Sequence, residues 1–291
     1  MCNLFGSPTT KFSVSFLIIL LQPSGKTNHG RTLYGRATRH INPCLCPLGA
    51  LLFYLSLRFN VTHEFEDFNL SDWLDNSKWF NVKLLVDPSG GAFLKEMSND
   101  LYAKAIKKVL LSLGIASLHL VHLGRNLGPK LLEMLEEESD AIRQLGNWNP
   151  SMQDSSYLTK LPMRPIRKLA GFVSANGMHY NPRTQVEVPE ELARLTPIGQ
   201  WAIDAFEKVG QAVSDSGLPK FTAYNVLKFF VELNLSFLQD AATMMIKHPE
   251  RIINPLFRLE VFGTEEFLVS LFLHVVVVVI ACLSVFTNFV L

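Results

Sequence analysis

The chain has 291 residues, 48% hydrophobic and 18% charged, enough to bury a core and too apolar for an extended disordered chain. Its 27 Lys and Arg stand against 26 Asp and Glu, a net charge of +1, which excludes a uniformly basic protein and confines any polyanion site to a local patch. Four cysteines (Cys2, Cys44, Cys46 and Cys282) are too few for a disulfide framework and lack metal-ligand spacing, so buried thiols and no metal are expected.

The charges are segregated. No acid precedes Glu64, whereas Lys11, Lys26, Arg31, Arg36, Arg39 and Arg58 do. Glu133, Glu136, Glu137, Glu138 and Asp140 form an acidic cluster, and Lys160, Arg164, Arg167 and Lys168 a basic one. Such runs are ordinarily solvated faces; two basic runs that flank polar motifs favour phosphate binding.

In chain order, the apolar run "FSVSFLIILL" reads as a signal-peptide core or a buried strand. Pro23, Ser24 and Gly25 supply turn chemistry after it, and "RTLYGRATRH" reads as a second extended segment. The favoured arrangement is a β-hairpin with Lys26 near its tip. Pro43 and Pro47 introduce "LGALLFYLSLRF", which suits a buried helix with proline in its first turn. Ser98 caps a further helix with Tyr102, Ala105, Ile106, Val109 and Leu113 on one face, and Gly114 ends it in a left-handed cap.

"HLVHLGRNLGPKLLEML" leads into another helix, Ser139 caps a short one through Leu145, and helical turns hold Tyr157 and Arg164 to Leu169. Beyond Gly171 a turn-rich stretch precedes two amphipathic helices, Ile198 to Val213 and Phe221 to Ile246. The N-x-S/T matches at Asn60, Asn69 and Asn234 are what chance supplies. Phe267 to Leu291 carries no charge and is long enough to span a bilayer, so it reads as a transmembrane helix or as a misread gene segment; a buried core element is a third reading, though the run lacks the period of a soluble helix. The expected domains are residues 12–175, a helical extension over 176–262, and the hydrophobic tail 267–291.

Candidate chemistry lies in the first of these. His122 and Arg125 share one face if their segment is helical, giving an imidazole beside a planar guanidinium fork. Alone this reads as an exposed surface pair, Trp148 alone as core, and Tyr157 alone as a packing residue with its hydroxyl in water. Their order carries more: a hairpin lysine, then H-x-x-R, then a tryptophan after "LG", then a tyrosine nine positions on.

The pieces "GKTNHGR", "RHINPCLCPLGALLFYLSLRF", "AIKKVLLSLGI", "HLGRNLG", "IRQLGNWN", "SYLTKLP" and "LAGF", spread over about residues 17–172, resemble the tyrosine recombinase (phage integrase) catalytic fold. The likeness is to the fungal version shared by Crypton-type transposon recombinases and the large DNA-binding subunit of the budding-yeast centromere complex, and "YNPRTQVEVPEEL" continues it. It implies a mainly α (α+β) fold of the integrase catalytic-like kind: helices, a small β-hairpin and a hydrophobic C-terminal helix. It also implies that Tyr157 matches a nucleophile for a DNA phosphate, whose phenol needs nearby positive charge and a proton acceptor. Arg125 and His122 match the pair that stabilises the five-coordinate phosphate, Trp148 a donor to its oxygen, and Lys26 the acid for the departing 5′ oxygen. No cofactor or metal is implied.

The departures count equally. Active members carry a first arginine well before the hairpin lysine, whereas Arg31 is the first arginine here and follows Lys26; Asn147 stands where fungal relatives have arginine. Losing one such donor costs about a hundredfold to a thousandfold in rate. The expectation is an N-terminally shortened member that binds double-stranded DNA in the nucleus without catalytic turnover. Arg31, Arg36, Arg39, Lys160, Arg164 and Arg167 would join Lys26 and Arg125 on phosphates. An active mobile-element recombinase is the alternative, a tail-anchored membrane protein the second, and homo-oligomerisation stays open.

Overall fold

The structure, a computed structural model, describes residues 17–22, 33–62, 64, 83–87, 95–116, 123–146, 162–172, 181–216, 221–251, 254–272 and 275. Strands β1 (Leu17–Gln22) and β2 (Leu33–Thr38) pair antiparallel, from Leu17 opposite Thr38 to Gln22 opposite Leu33. The helices follow as α1 (Pro47–Ser56), α2 (Asn99–Ser112), α3 (Leu123–Met134), α4 (Ser139–Leu145) and α5 (Met163–Leu169). Next come α6 (Glu190–Arg194), α7 (Pro197–Ser216) and α8 (Phe221–Lys247). The chain divides into two compact units, residues 1–67 with 170–291, and residues 68–169.

In the first unit, α8 packs against both α1 and α7. Its 27 residues make a rod of about 40 Å. Helix α1 starts where expected, with Pro47 in its first turn and the Cys46 thiol accepting the Gly49 N–H at 3.1 Å. Gly49 also sets how closely α1 approaches α8: a Cβ there would stand 3.1 Å from Asp240 Oδ2 and 3.2 Å from Cys46 Cβ. Leu48, Leu52, Leu192, Ile198, Leu227, Leu233 and Phe237 are fully buried. Burying such side chains contributes about 1.5–3 kcal/mol each, which fixes the faces of α1, α7 and α8.

The sequence reads α8 as amphipathic, yet its middle is buried on its polar positions too. Asn234, Ser236, Gln239, Asp240 and Thr243 are all buried. Each finds a partner, as buried polar groups must. Asn234 Nδ2 donates to Ala193 O at 3.0 Å, Thr196 Oγ1 donates to Asn234 Oδ1 at 2.8 Å, and Gln239 Nε2 donates to Val186 O at 2.7 Å. Asn60 is buried as well, accepting the Ile198 N–H at 2.8 Å at the start of α7. Neither Asn60 nor Asn234 is a surface acceptor.

The first 67 residues cluster with residues 170–291 in one compact unit, and their buried groups bond far along the chain, as Arg39 does to Asp240 and Ile41 O to Arg183. Of the expected hydrophobic tail 267–291, only 267–272 and 275 are described: there Phe267, Leu271 and Val275 are fully buried, Leu268 and Val269 are exposed, and the Phe262 and Phe267 rings meet edge to face at 5.0 Å. Among the described residues no helix is long and apolar enough to cross a membrane.

In the second unit, α3, α4 and α5 pack on one another, with Leu132 and Ile166 in their core. Helix α2 has the expected ends. Ser98 Oγ accepts the Leu101 N–H at 3.2 Å, and Gly114, at φ 71, closes a Schellman turn in which Ile115 N donates to Leu110 O at 2.8 Å. The expected apolar face is not inside, however: Tyr102, Ala105, Val109 and Leu113 are exposed and Ile106 is half-buried. Periodicity locates such a face without saying what covers it. Ser139 does not cap α4 but is its first residue; Glu138 precedes it without a side-chain cap bond.

Candidate nucleic-acid interface

Of the residues that the resemblance makes catalytic, Lys26, His122, Trp148 and Tyr157 lie outside the described residues, as do Arg31 and Lys160. Arg125 is exposed in the first turn of α3. Arg36 is on β2, opposite Ile19.

Arg39 was expected on DNA, but only 3% of it is exposed. Its guanidinium donates to Asp240 Oδ1 at 2.5 Å and to Gln239 Oε1 at 2.6 Å. Arg183 meets the same carboxylate from Nε at 2.6 Å and donates to the carbonyls of Ile41 at 2.6 Å and His40 at 2.6 Å. Two guanidinium forks thus converge on one buried carboxylate, and neither faces solvent. Beside them, His40 is held below the ordinary imidazole range, chiefly by burial and further by the Arg183 charge, against an opposing backbone hydrogen bond with Asn42.

Arg164 and Arg167 sit on α5. Arg164 is 62% exposed, with Nε 3.3 Å from Glu137 Oε1 and Nη1 3.6 Å from Glu138 Oε1. The contact with Glu138 is a surface pair and weak, whereas Glu137 is buried and also held by Lys168, so the exposed guanidinium is left available to a phosphate. Lys168 is more firmly held: Nζ is 2.8 Å from Glu137 Oε2 and donates to Leu135 O at 2.7 Å. Arg167 is half-buried. Elsewhere on the surface, Arg194 is shared by Glu190, Asp204 and Glu207 at 2.7, 2.5 and 2.7 Å, and its acidity is weakened by the bonds to Glu190 and Asp204.

The cations not read from the sequence are on α2 and α3. Lys104, Lys107 and Lys108 are exposed at i, i+3 and i+4 on α2, flanking the half-buried stripe of Ala103, Ile106 and Leu110, and Lys130 is exposed on α3. Asp100 is the one acid on α2. "AKAIKK" could have revealed the stripe, since its spacing places three ammonium groups on one face. Lysines held on long stems over a helix suit phosphate oxygens, which need positive charge more than a fixed bond angle. Among the described residues there is no group of three His, Cys, Asp or Glu suited to a metal ion.

The family model of the centromere DNA-binding protein complex CBF3 subunit, domain 2, matches residues 3–268. The chain belongs to that family. The match spans both compact units and every position from Lys26 to Arg167 singled out above. No curated protein and no solved structure matches the chain.

Proposed function

We propose that this CBF3-subunit-type chain binds duplex DNA through the phosphate backbone, in the nucleus, as part of a centromere-type complex and without catalytic turnover. The observation that carries the reading is the family match, and the exposed Lys104, Lys107 and Lys108 face supplies chemistry that fits it. Arg125, Lys130 and the loosely paired Arg164 extend the contact set. Arg39 drops out, since its charge is satisfied inside the fold. The recombinase-like order of Lys26, His122, Arg125, Trp148 and Tyr157 is taken as descent, with Asn147 in place of an arginine leaving less positive charge than phosphoryl transfer needs.

Such binding depends on salt more than on base sequence. With Lys104, Lys107 and Lys108 replaced by glutamine, the slope of log K against log salt should flatten by about 3, one counterion per lost contact, at unchanged thermal stability. Salt-insensitive binding, or none to any duplex, sinks the reading. A nicked suicide duplex is expected to trap no covalent adduct; an adduct abolished by Tyr157→Phe would make the chain an active recombinase instead.

A further inference from the structure

One constellation lies outside the contact set proposed above. Cys44 lies in the short 3-10 turn Pro43–Leu45, exposed, with its backbone N–H donated to Asn42 Oδ1 at 3.0 Å. Its Sγ is 3.1 Å from His248 Nε2, just past the end of α8, and on the far side of that ring Nδ1 is 3.1 Å from Glu250 Oε1. Met244, one helical turn before His248, brings its Sδ to 3.6 Å from the same sulfur. Thiol, imidazole and carboxylate therefore lie in a line rather than around a point, an arrangement for moving a proton and not for holding a metal.

We propose that Cys44 is a modification site, a solvent-facing thiol nucleophile for small peroxides. A thiol attacks as its thiolate, and an imidazole at hydrogen-bond distance takes the proton. Glu250 acts as a positioning residue: it accepts the Nδ1 proton and so turns Nε2 toward sulfur. With hydrogen peroxide, the Cys44 thiolate attacks one oxygen, the S–O bond forms and the O–O bond breaks. The departing hydroxide takes the proton from His248 and leaves as water. Sulfur is oxidised by two electrons to the sulfenic acid, peroxide is reduced, and His248 is neutral again.

Cys46, two residues on, is an internal control. It is 3% exposed, and its sulfur accepts the N–H groups of His40 at 3.2 Å and Gly49 at 3.1 Å instead of facing an imidazole.

The test uses the full chain with Cys2→Ser and Cys282→Ser, leaving Cys44 and Cys46 as its thiols. Substoichiometric hydrogen peroxide is added with dimedone, and the labelled residue is located by fragment mass spectrometry. Labelling is expected on Cys44 and not Cys46, slowed at least tenfold by His248→Gln and severalfold by Glu250→Gln, with Glu250→Asp restoring part of the rate. A folding-independent arm measures iodoacetamide alkylation of the otherwise unaltered chain against a cysteine peptide at neutral pH. A Cys44 rate at least tenfold above the peptide supports the proposal. Equal rates, or label shared with Cys46, overturn it.

Discussion

The 1–67/170–291 unit closes Arg39 and Arg183 over a carboxylate far along the chain, whereas the 68–169 unit pairs its buried Glu137 with nearer neighbours and turns the lysines of α2 outward. In the first, Arg39 and Asp240 are 201 residues apart. In the second, Lys168 reaches Glu137 and Leu135, the latter 33 residues away. The same residue types thus serve as an internal clasp in one unit and as a surface in the other. Charge in a sequence gives the material for a binding face, and burial decides whether it becomes one.

The sharpest way to break that contrast is Asp240→Asn. It leaves the Arg39 and Arg183 guanidiniums buried against a neutral side chain, and removing one partner of a buried ion pair costs about 3–5 kcal/mol. Denaturant unfolding should show a loss of that size; a change near zero would mean that the cluster is not the clasp described. A gain is expected in the second unit. Glu136 occupies the left-handed position of the Schellman turn that ends α3, at φ 55, with Glu137 N donating to Leu132 O at 2.9 Å. Glycine takes that backbone without the Cβ penalty, so Glu136→Gly should raise stability by about 1 kcal/mol in the same assay. The smallest effect is on pH. The folded value of His40 lies below the ordinary 6.5, so its contribution to stability is fully present above about pH 6.5 and is lost as pH falls below it. His40→Gln should flatten the fall in unfolding midpoint between pH 7.5 and 5.5; an unchanged fall would place the titration elsewhere.

Local signals in the sequence were readable because their causes are local. The hairpin pairing, Pro47 opening α1, Ser98 and Gly114 bounding α2, and the periodicity of α7 and α8 all rest on residues within a turn or two of each other. What was not readable rests on distance along the chain. Nothing near Arg39 shows that its partner is residue 240, so it looks like any other basic residue in a basic run. The apolar stretch from Phe267 resembles a membrane span until its first turn is seen against Phe262. Lys104, Lys107 and Lys108 were visible, but only burial shows which side of α2 they occupy. Of the recombinase-like residues, Arg125 alone lies among the described residues.

The clasp on Asp240 also has a consequence in time. At about 5–20 residues per second, a growing chain adds Asp240 on the order of ten to forty seconds after Arg39. Throughout that delay Arg39 leaves the ribosome without the α8 carboxylate that it bonds in the folded chain. The 68–169 unit, with its partners close by in the chain, is free to close in the meantime. During synthesis, then, the segment made earlier folds later, and it is this early segment that a chaperone has reason to hold.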